Sequence, residues 1–275
     1  MIEEVLRIAG ENGISAVGIC DKNIYTEKSK GLLNKASFCA EENLPDYVKS
    51  IIVCAFGYYA GDEPGNISRY ARGMDYHKVA REKMESVCTF LREQGNKAEA
   101  FADTGSLNER LLSELSGIAF RGRNQMAINN VLGSYFFIGY ILTDCDLPYN
   151  APNNGTCMSC GKCTEVCPLG ALSESGFREE KCLSYITQKK GDLSEEEKEA
   201  MRKTGTIWGC DICQEVCPHN KGIKITEIEE FKKNLISNLH IDEGISNKEF
   251  RNLYGNRAFS WRGKGVLLRN QKTIF

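Results

Sequence analysis

Cys157-Met-Ser-Cys160-Gly-Lys-Cys163-Thr-Glu-Val-Cys167-Pro168 is the stretch that decides the architecture of this chain. A second run follows it: Cys182, then Cys210-Asp-Ile-Cys213-Gln-Glu-Val-Cys217-Pro218. Eight of the thirteen cysteines thus fall between residues 157 and 217. Three cysteines spaced by two residues can wrap one corner of a cubane cluster but cannot reach its far side, so the fourth thiolate must come from elsewhere. In bacterial two-cluster proteins the cysteine before proline serves the other cluster. On that rule Cys157, Cys160 and Cys163 take Cys217, and Cys182, Cys210 and Cys213 take Cys167. The spacing predicts two [4Fe-4S] clusters side by side and an electron-carrying module. Cys182 stands 28 residues before Cys210. The charged insert over 183–207 is expected to be partly helical.

Structural zinc uses four ligands in paired C-x2-C units, which leaves the C-x2-C-x2-C-x3-C-P run unexplained. A disulfide framework suits small secreted chains. Residues 1–14 instead read as an amphipathic helix with acids at Glu3 and Glu4, unlike a secretory leader. The 275 residues are 41% apolar and 26% charged, which is ordinary for a globular protein. No apolar run reaches the length of a membrane span. The net charge of −2 does not mark a polyanion binder as a whole. Residues 251–275, however, carry Arg251, Arg257, Arg262, Lys264, Arg269 and Lys272 and no acid. Such an end suits phosphate contacts or a solvated tail equally. Cys20, Cys39, Cys54, Cys88 and Cys145 are expected to be small buried hydrophobes, and free thiols beside clusters fit a reducing cytoplasm.

Upstream of the clusters, helices and strands alternate. Ile2, Val5, Leu6 and Ala9 keep a helical period that Gly13 ends. Residues 16–20 form a short buried strand. Residues 50–56 are apolar on both faces and so central in a sheet. A long helix spans 76–94, closed by Gly95, and a strand over 98–103 ends at a carboxylate. Ser106-Leu-Asn-Glu109 has the form of a capping box opening a helix to about Ser116. Strands over 125–129 and 134–143 flank Asn130-Val-Leu-Gly133, which reads as a hairpin turn. The turn-rich stretch 148–155 marks a boundary. The organisation expected is therefore a mixed α and β domain over 1–150, a cluster module over 151–222, and a helical segment over 223–275.

A domain of that size beside an electron relay is expected to hold the centre that uses the electrons. G-x-G-x-x-G and G-x-x-x-x-G-K-[ST] are both missing, which argues against a Rossmann loop or a P-loop. Asp75-Tyr-His77 begins like the D-x-H-x-x-G signature of histidine-ligated cobalamin proteins, but residue 80 is alanine. An exposed histidine at a helix start is the plainer reading.

Several strings then point to one family. Tyr70-Ala-Arg-Gly-Met-Asp-Tyr-His77 resembles a segment of the epoxyqueuosine reductases. So do Asp103-Thr-Gly with Glu109-Arg110, Gly122-Arg-Asn124, and Gly133-Ser-Tyr-Phe-Phe-Ile-Gly139. Cys182-Leu-Ser-Tyr185, Gly209-Cys-Asp-Ile-Cys213 and Ser260-Trp-Arg-Gly263 complete the set, so the resemblance runs from about residue 14 to 272. The family is related to the reductive dehalogenases.

The resemblance implies an α+β fold: a nitroreductase-like cobalamin domain, a ferredoxin-like two-cluster module, and a short helical C-terminus. It implies cobalamin bound without a histidine ligand and electrons fed through two [4Fe-4S] clusters. The substrate implied is epoxyqueuosine in tRNA, reduced to queuosine with loss of the epoxide oxygen as water. The family's proton-donating carboxylate maps onto Asp103. Burial against the apolar corrin face is expected to raise its pKa and keep its proton available; the plain alternative is a helix cap or strand-end turn. Tyr76, His77, Arg110, Arg123, Ala127, Ile138, Ser184 and Asp211 are the further cofactor-binding candidates. Ser184 and Asp211 lie within the cysteine window yet are expected to face the cofactor, which makes that window one wall of the active site and Asp103 the other. Arg110 equally suits a helix-surface charge, and Ala127 and Ile138 suit core sheet.

Departures exist. Ser106 stands where the family has proline, and Ala119-Phe-Arg-Gly-Arg-Asn124 replaces G-W-x-G-K-[NH]. Relatives often continue past this point into helical repeats that grip tRNA. The electron donor expected is a ferredoxin or flavodoxin, and no membrane partner is expected. The competing readings are a cobalamin-dependent reductase of another substrate and a non-catalytic two-cluster electron carrier.

Overall fold

Apolar residues on both faces place Ser50–Gly57 in the middle of a sheet, and all eight are buried. The computed structural model describes residues 1–30, 44–174 and 176–275; Cys39 lies outside them. The described residues divide into two units. Unit 1 comprises Met1–Gly57, Tyr76–Gly122 and Met126–Met158, and unit 2 comprises Tyr58–Asp75, Arg123–Gln125 and Ser159–Phe275.

Unit 1 begins with helix α1 (Ile2–Glu11), which buries Val5 and Ala9. Strand β1 (Ala16–Asp21), helix α2 (Lys22–Lys30), strand β2 (Ser50–Gly57) and helix α3 (Tyr76–Glu93) follow. Next come β3 (Ala98–Phe101), α4 (Glu109–Leu115), β4 (Phe120–Arg121), β5 (Ala127–Ile128) and β6 (Phe136–Thr143). The main sheet has the order β1-β2-β6-β3, and every neighbouring pair in it is antiparallel. One face packs Tyr25, Val53, Leu112, Ile118 and Tyr140 into a core with the helix α4 residues Leu111 and Leu115. Cys20, Cys54, Cys88 and Cys145 are buried free thiols, as small hydrophobes at those positions should be. Burial pushes the Cys20 and Cys88 thiols up to about 12, which makes them inert.

Two local expectations need correction. The cap of α4 is Asn108, not Ser106: its Oδ1 accepts from the Leu111 amide at 3.1 Å, and the Tyr25 hydroxyl lies 2.8 Å from its own amide. Glu109 is then the first helical residue, and its carboxylate turns back to the Asp103 amide. The strands around residues 127 and 138 do not form a hairpin either. Strand β5 pairs with β4, whereas β6 pairs with β2 and β3. The turn itself exists. Asn129 bridges to Gly133, and its Oδ1 accepts from the Val131 and Leu132 amides, the side-chain turn that asparagine favours.

Unit 2 holds short helices around the cysteines: α5 (Lys162–Glu165), α6 (Leu183–Ile186), α7 (Glu195–Thr204) and α8 (Ile212–Glu215). A two-residue β-ladder joins Leu172–Ser173 to Gly176–Phe177. Helices α5 and α8 each make about one turn and stop just before their Cys-Pro pair, as proline requires; the two helices pack together. Helix α7 fulfils the helical expectation for the insert and carries a full capping box, Ser194 with Glu197. It packs through Ala200 and Met201 onto Leu183, Ile186 and Leu193. Helices α9 (Glu229–Lys232), α10 (Asn247–Tyr254) and α11 (Lys264–Ile274) complete the C-terminal part. Part of its basic charge is structural: the Arg257 guanidinium donates to the Arg72 and Asn234 carbonyls, and Arg269 to those of Lys189 and Gly191. Tyr58–Asp75 joins this unit through a parallel bridge between Ile67 and the buried Trp208. Among the described residues, no helix is long and apolar enough to cross a membrane.

Candidate active site

The candidate site in unit 1 is built where β3 ends. Pairing with β6 stops at Phe101, opposite Tyr140, and the chain enters a bend leading to α4. Asp103 sits in that bend with a left-handed φ of 56°, a conformation that costs a non-glycine residue about 1 kcal/mol. Three contacts hold it there. The Asp103 amide donates to Glu109 Oε1 at 2.6 Å. The Tyr76 hydroxyl donates to Asp103 Oδ2, and His77 Nε2 lies 3.2 Å from the same oxygen. The aromatic donors are themselves fixed. Tyr76 stacks on Phe137 of β6, with centroids 4.1 Å apart and planes 3° from parallel, and on His77 at 4.0 Å. Gly105 completes the bend; a Cβ there would stand 1.7 Å from the Tyr140 hydroxyl, so no side chain fits.

The electrostatics divide two neighbouring carboxyls. Burial pushes Asp103 up, but hydrogen bonds from His77 and Tyr76 and the charge of Arg110 outweigh it and hold the carboxyl below its ordinary range. Its side chain is 57% exposed, so its open side tempers the desolvation. The raised pKa expected from the sequence rests on the apolar corrin face; among the protein's own residues, donors aimed at one oxygen favour the charged form. Glu109 behaves oppositely. Burial first, and the Asp103 charge in addition, push it up to about 8, although the Asp103 amide works the other way. The pair keeps one proton near neutral pH, and keeps it on Glu109. Sequence reasoning missed Glu109 as a site residue because the S-x-x-E pattern offered it a capping role.

The other candidates lie as follows. Arg110 is exposed on α4 and acts on both carboxyls by its charge. Ala127 is buried in β5 opposite Arg121, and Ile138 is half-buried in β6 opposite Ala55. Arg123 belongs to unit 2 and pairs with the exposed Glu174 at 3.7 Å. Ser184, half-buried on α6, has its carbonyl accepting from Thr187 Oγ1 and Gln188 Nε2. Asp211 is buried in unit 2; one oxygen accepts from Ser68 Oγ at 2.6 Å and the other from the Arg69 amide at 2.7 Å. Burial pushes Asp211 up, against the hydrogen bonds of Ser68 and Arg69.

Of the eight cluster cysteines, Cys157 falls in unit 1 and the other seven in unit 2. Cys163 is buried and Cys160 exposed; the rest are intermediate. Cys213 feels the charges of Cys210, Cys182, Cys167 and Cys163, and Cys210 those of Cys182 and Cys167. Burial pushes Cys210 up to about 12 and raises Cys213; the Asp211 charge and then these thiols add to it at Cys210, and the thiols add to it at Cys213. Thiols that raise one another need a shared cation before they ionise together, and an iron–sulfur core is one. Among the described residues, no three His, Cys, Asp or Glu side chains converge tightly enough to grip one isolated ion. The fit to an iron–sulfur core rests instead on thiols near enough to act on one another by charge.

Residues 156–220 match the family model for a 4Fe-4S double cluster binding domain, and residues 40–104 the model described as Epoxyqueuosine reductase QueG, DUF1730. The epoxyqueuosine reductase of Bacillus anthracis is 32% identical over 98% of this chain and 78% of its own length. The chain belongs to the epoxyqueuosine reductase family. Its members are oxidoreductases, and so is this chain. Among solved structures of the family, an epoxyqueuosine reductase with a tRNA-Tyr epoxyqueuosine-modified stem loop matches with a TM-score of 0.83 at 27% identity, covering 99% of this chain and 80% of that one. One from Bacillus subtilis, with its aspartate catalytic loop swung out of the active site, matches with a TM-score of 0.83 at 28% identity and the same coverage. A catabolic reductive dehalogenase shares the fold at 15% identity, with a TM-score of 0.53 over 83% of this chain and 32% of that one.

Proposed function

We propose that this chain reduces epoxyqueuosine to queuosine in tRNA, with Asp103 as the proton donor to the epoxide oxygen. The observation that carries the reading is the Asp103 bend. An open carboxylate is held at a strained turn by Tyr76, His77 and Glu109, in a chain whose relatives are epoxyqueuosine reductases. Removing an epoxide oxygen as water takes two electrons and two protons. Oxygen gains negative charge as its C–O bond breaks, so an acid within hydrogen-bond reach lowers the barrier; Asp103, ionised at rest, hands on a proton that it takes up through His77, and solvent supplies the second. Tyr76 and His77 fix where the Asp103 oxygen stands, and Arg110 adds positive charge beside it.

Cys157, Cys160, Cys163 and Cys217 would hold one [4Fe-4S] cluster and Cys182, Cys210, Cys213 and Cys167 the other, and the pair would supply electrons one at a time. Cobalamin is the cofactor we infer, by resemblance to the family, and when bound it supplies a strongly reducing metal centre. The reading uses no histidine as a ligand to the cobalt; His77 Nε2 lies 3.2 Å from Asp103 Oδ2. Tyr76, His77, Arg110, Arg123, Ala127, Ile138, Ser184 and Asp211 are its proposed contacts. On this reading residues 1–150 form the cobalamin domain, with a nitroreductase-like layout, 151–222 the cluster module and 223–275 the helical segment. We place the chain in a reducing cytoplasm, which its buried free thiols favour, with a ferredoxin or flavodoxin as the donor.

The test is conversion of an epoxyqueuosine-modified tRNA stem loop by anaerobically reconstituted protein with a chemical reductant, scored by mass. The product should lose the mass of one oxygen atom. Intact clusters and bound cobalamin without any conversion would favour a different substrate.

A further inference from the structure

We propose that Glu109 is a positioning residue: its carboxyl group latches the Asp103 bend by accepting the Asp103 amide, and so keeps the Asp103 side chain against Tyr76 and His77. The inference rests on the reading of Asp103 as proton donor. From Asp103 to Ser106, the Asp103 amide is the backbone group tied down by a hydrogen bond among the described residues, at 2.6 Å from Glu109 Oε1. The next tether, from the Leu107 amide to the Tyr140 hydroxyl, is long at 3.4 Å.

The latch itself is rigid. Glu109 opens α4, whose cap Asn108 is fixed by its own bond to Leu111 and by the Tyr25 hydroxyl. Tyr25 and Tyr140 are both fully buried. The bond therefore transmits the position of a packed helix to a residue held at φ 56°. A backbone that costs energy to hold relaxes when its tether is cut. The charged groups facing Glu109 are Asp103, His77 and Arg110.

Glu109→Gln and Glu109→Met separate the latch from mere packing, because both are neutral and close in size but only glutamine keeps an acceptor. Amide hydrogen exchange over residues 102–107, read by mass spectrometry on the intact chain near neutral pH, reports the bend directly. Glu109→Met should speed exchange there about tenfold or more, and Glu109→Gln should stay within about threefold of the wild type, since the amide is protected by that hydrogen bond. In turnover, Glu109→Met should lower kcat about tenfold with KM little changed, and Glu109→Gln should rescue most of it. If Glu109→Met does not fold, Glu109→Asp serves: it keeps the carboxyl group but is one methylene too short, and should match the exchange expected of methionine. Equal exchange in the glutamine variant and either acceptor-displaced variant overturns the latch. Asp103→Asn distinguishes the two levels. Normal turnover in that variant sinks the donor reading, whereas an inactive Asp103→Asn beside unaffected Glu109→Met sinks the latch alone.

Discussion

Replacing Glu109 by glutamine should make the protein more stable as pH rises, by an amount that follows from its titration. The folded protein holds the Glu109 proton up to about pH 8, whereas an ordinary glutamate releases it near 4.5. Between those values the folded state binds more protons than the unfolded chain, so stability falls as pH rises through the window. The contribution is fully present below about 4.5 and gone above about 8. At about 1.36 kcal/mol per unit, the ceiling is about 5 kcal/mol. Glu109 is half-buried and its anion accepts the Asp103 amide, so the expected loss is about 2 kcal/mol. Glutamine mimics the protonated acid at every pH. The two proteins should therefore melt together near pH 5, and the variant should melt about 4–8 °C higher near pH 8.5. Matched scans of the cluster-loaded proteins at both pH values, at one heating rate, measure this difference of differences. An infrared carbonyl band of a protonated carboxyl, fading in the wild type near pH 8 and missing from the variant, is the independent check. A Tm difference that stays flat or shrinks with pH would refute the assignment of the retained proton to Glu109.

Two further substitutions probe the frame around the site. Gly105→Ala drives a methyl into the Tyr140 hydroxyl and should cost about 1–3 kcal/mol; adding Tyr140→Phe should recover part of it, which a double-mutant thermal series would read. Ser68→Ala removes a donor from the buried Asp211 carboxyl in unit 2 and should cost about 1.5–3 kcal/mol, seen as a lower Tm and faster loss of iron on dilution.

Much of this was legible in the sequence where one physical cause dominates. An apolar run over residues 50–56 can only be a central strand, and it is. The period of 76–94 gives helix α3 with Val79, Ala80, Met84, Val87, Cys88 and Leu91 buried. What escaped depends on competition between local and distant partners. Ser106 and Asn108 both suit a helix cap, and the choice fell to Asn108, whose amide the distant Tyr25 hydroxyl holds. Asn129 forms its turn whichever strands follow, so the turn could be read but the pairing of β5 with β4 could not. That Tyr58–Asp75 packs in unit 2 depends on Trp208, some 140 residues away, through the Ile67 bridge and the bond from Trp208 Nε1 to the Tyr70 hydroxyl. The proton-sharing pair is the clearest case. Asp103 was legible from its motif, but its lowered pKa comes from Tyr76 and His77, and the proton sits on a glutamate that looked like a cap.

The measurement that bears most directly on the chemistry is Asp103→Asn in the reconstituted enzyme, assayed on epoxyqueuosine-modified stem loop with reductant and scored by mass. Asparagine keeps the size and the turn preference of the residue but holds no transferable acid proton. The variant should retain its cluster and cobalamin absorption and its stem-loop affinity while converting at least about a hundredfold more slowly than wild type. Conversion at the wild-type rate, with the same spectra, would contradict the assignment of Asp103 as the acid.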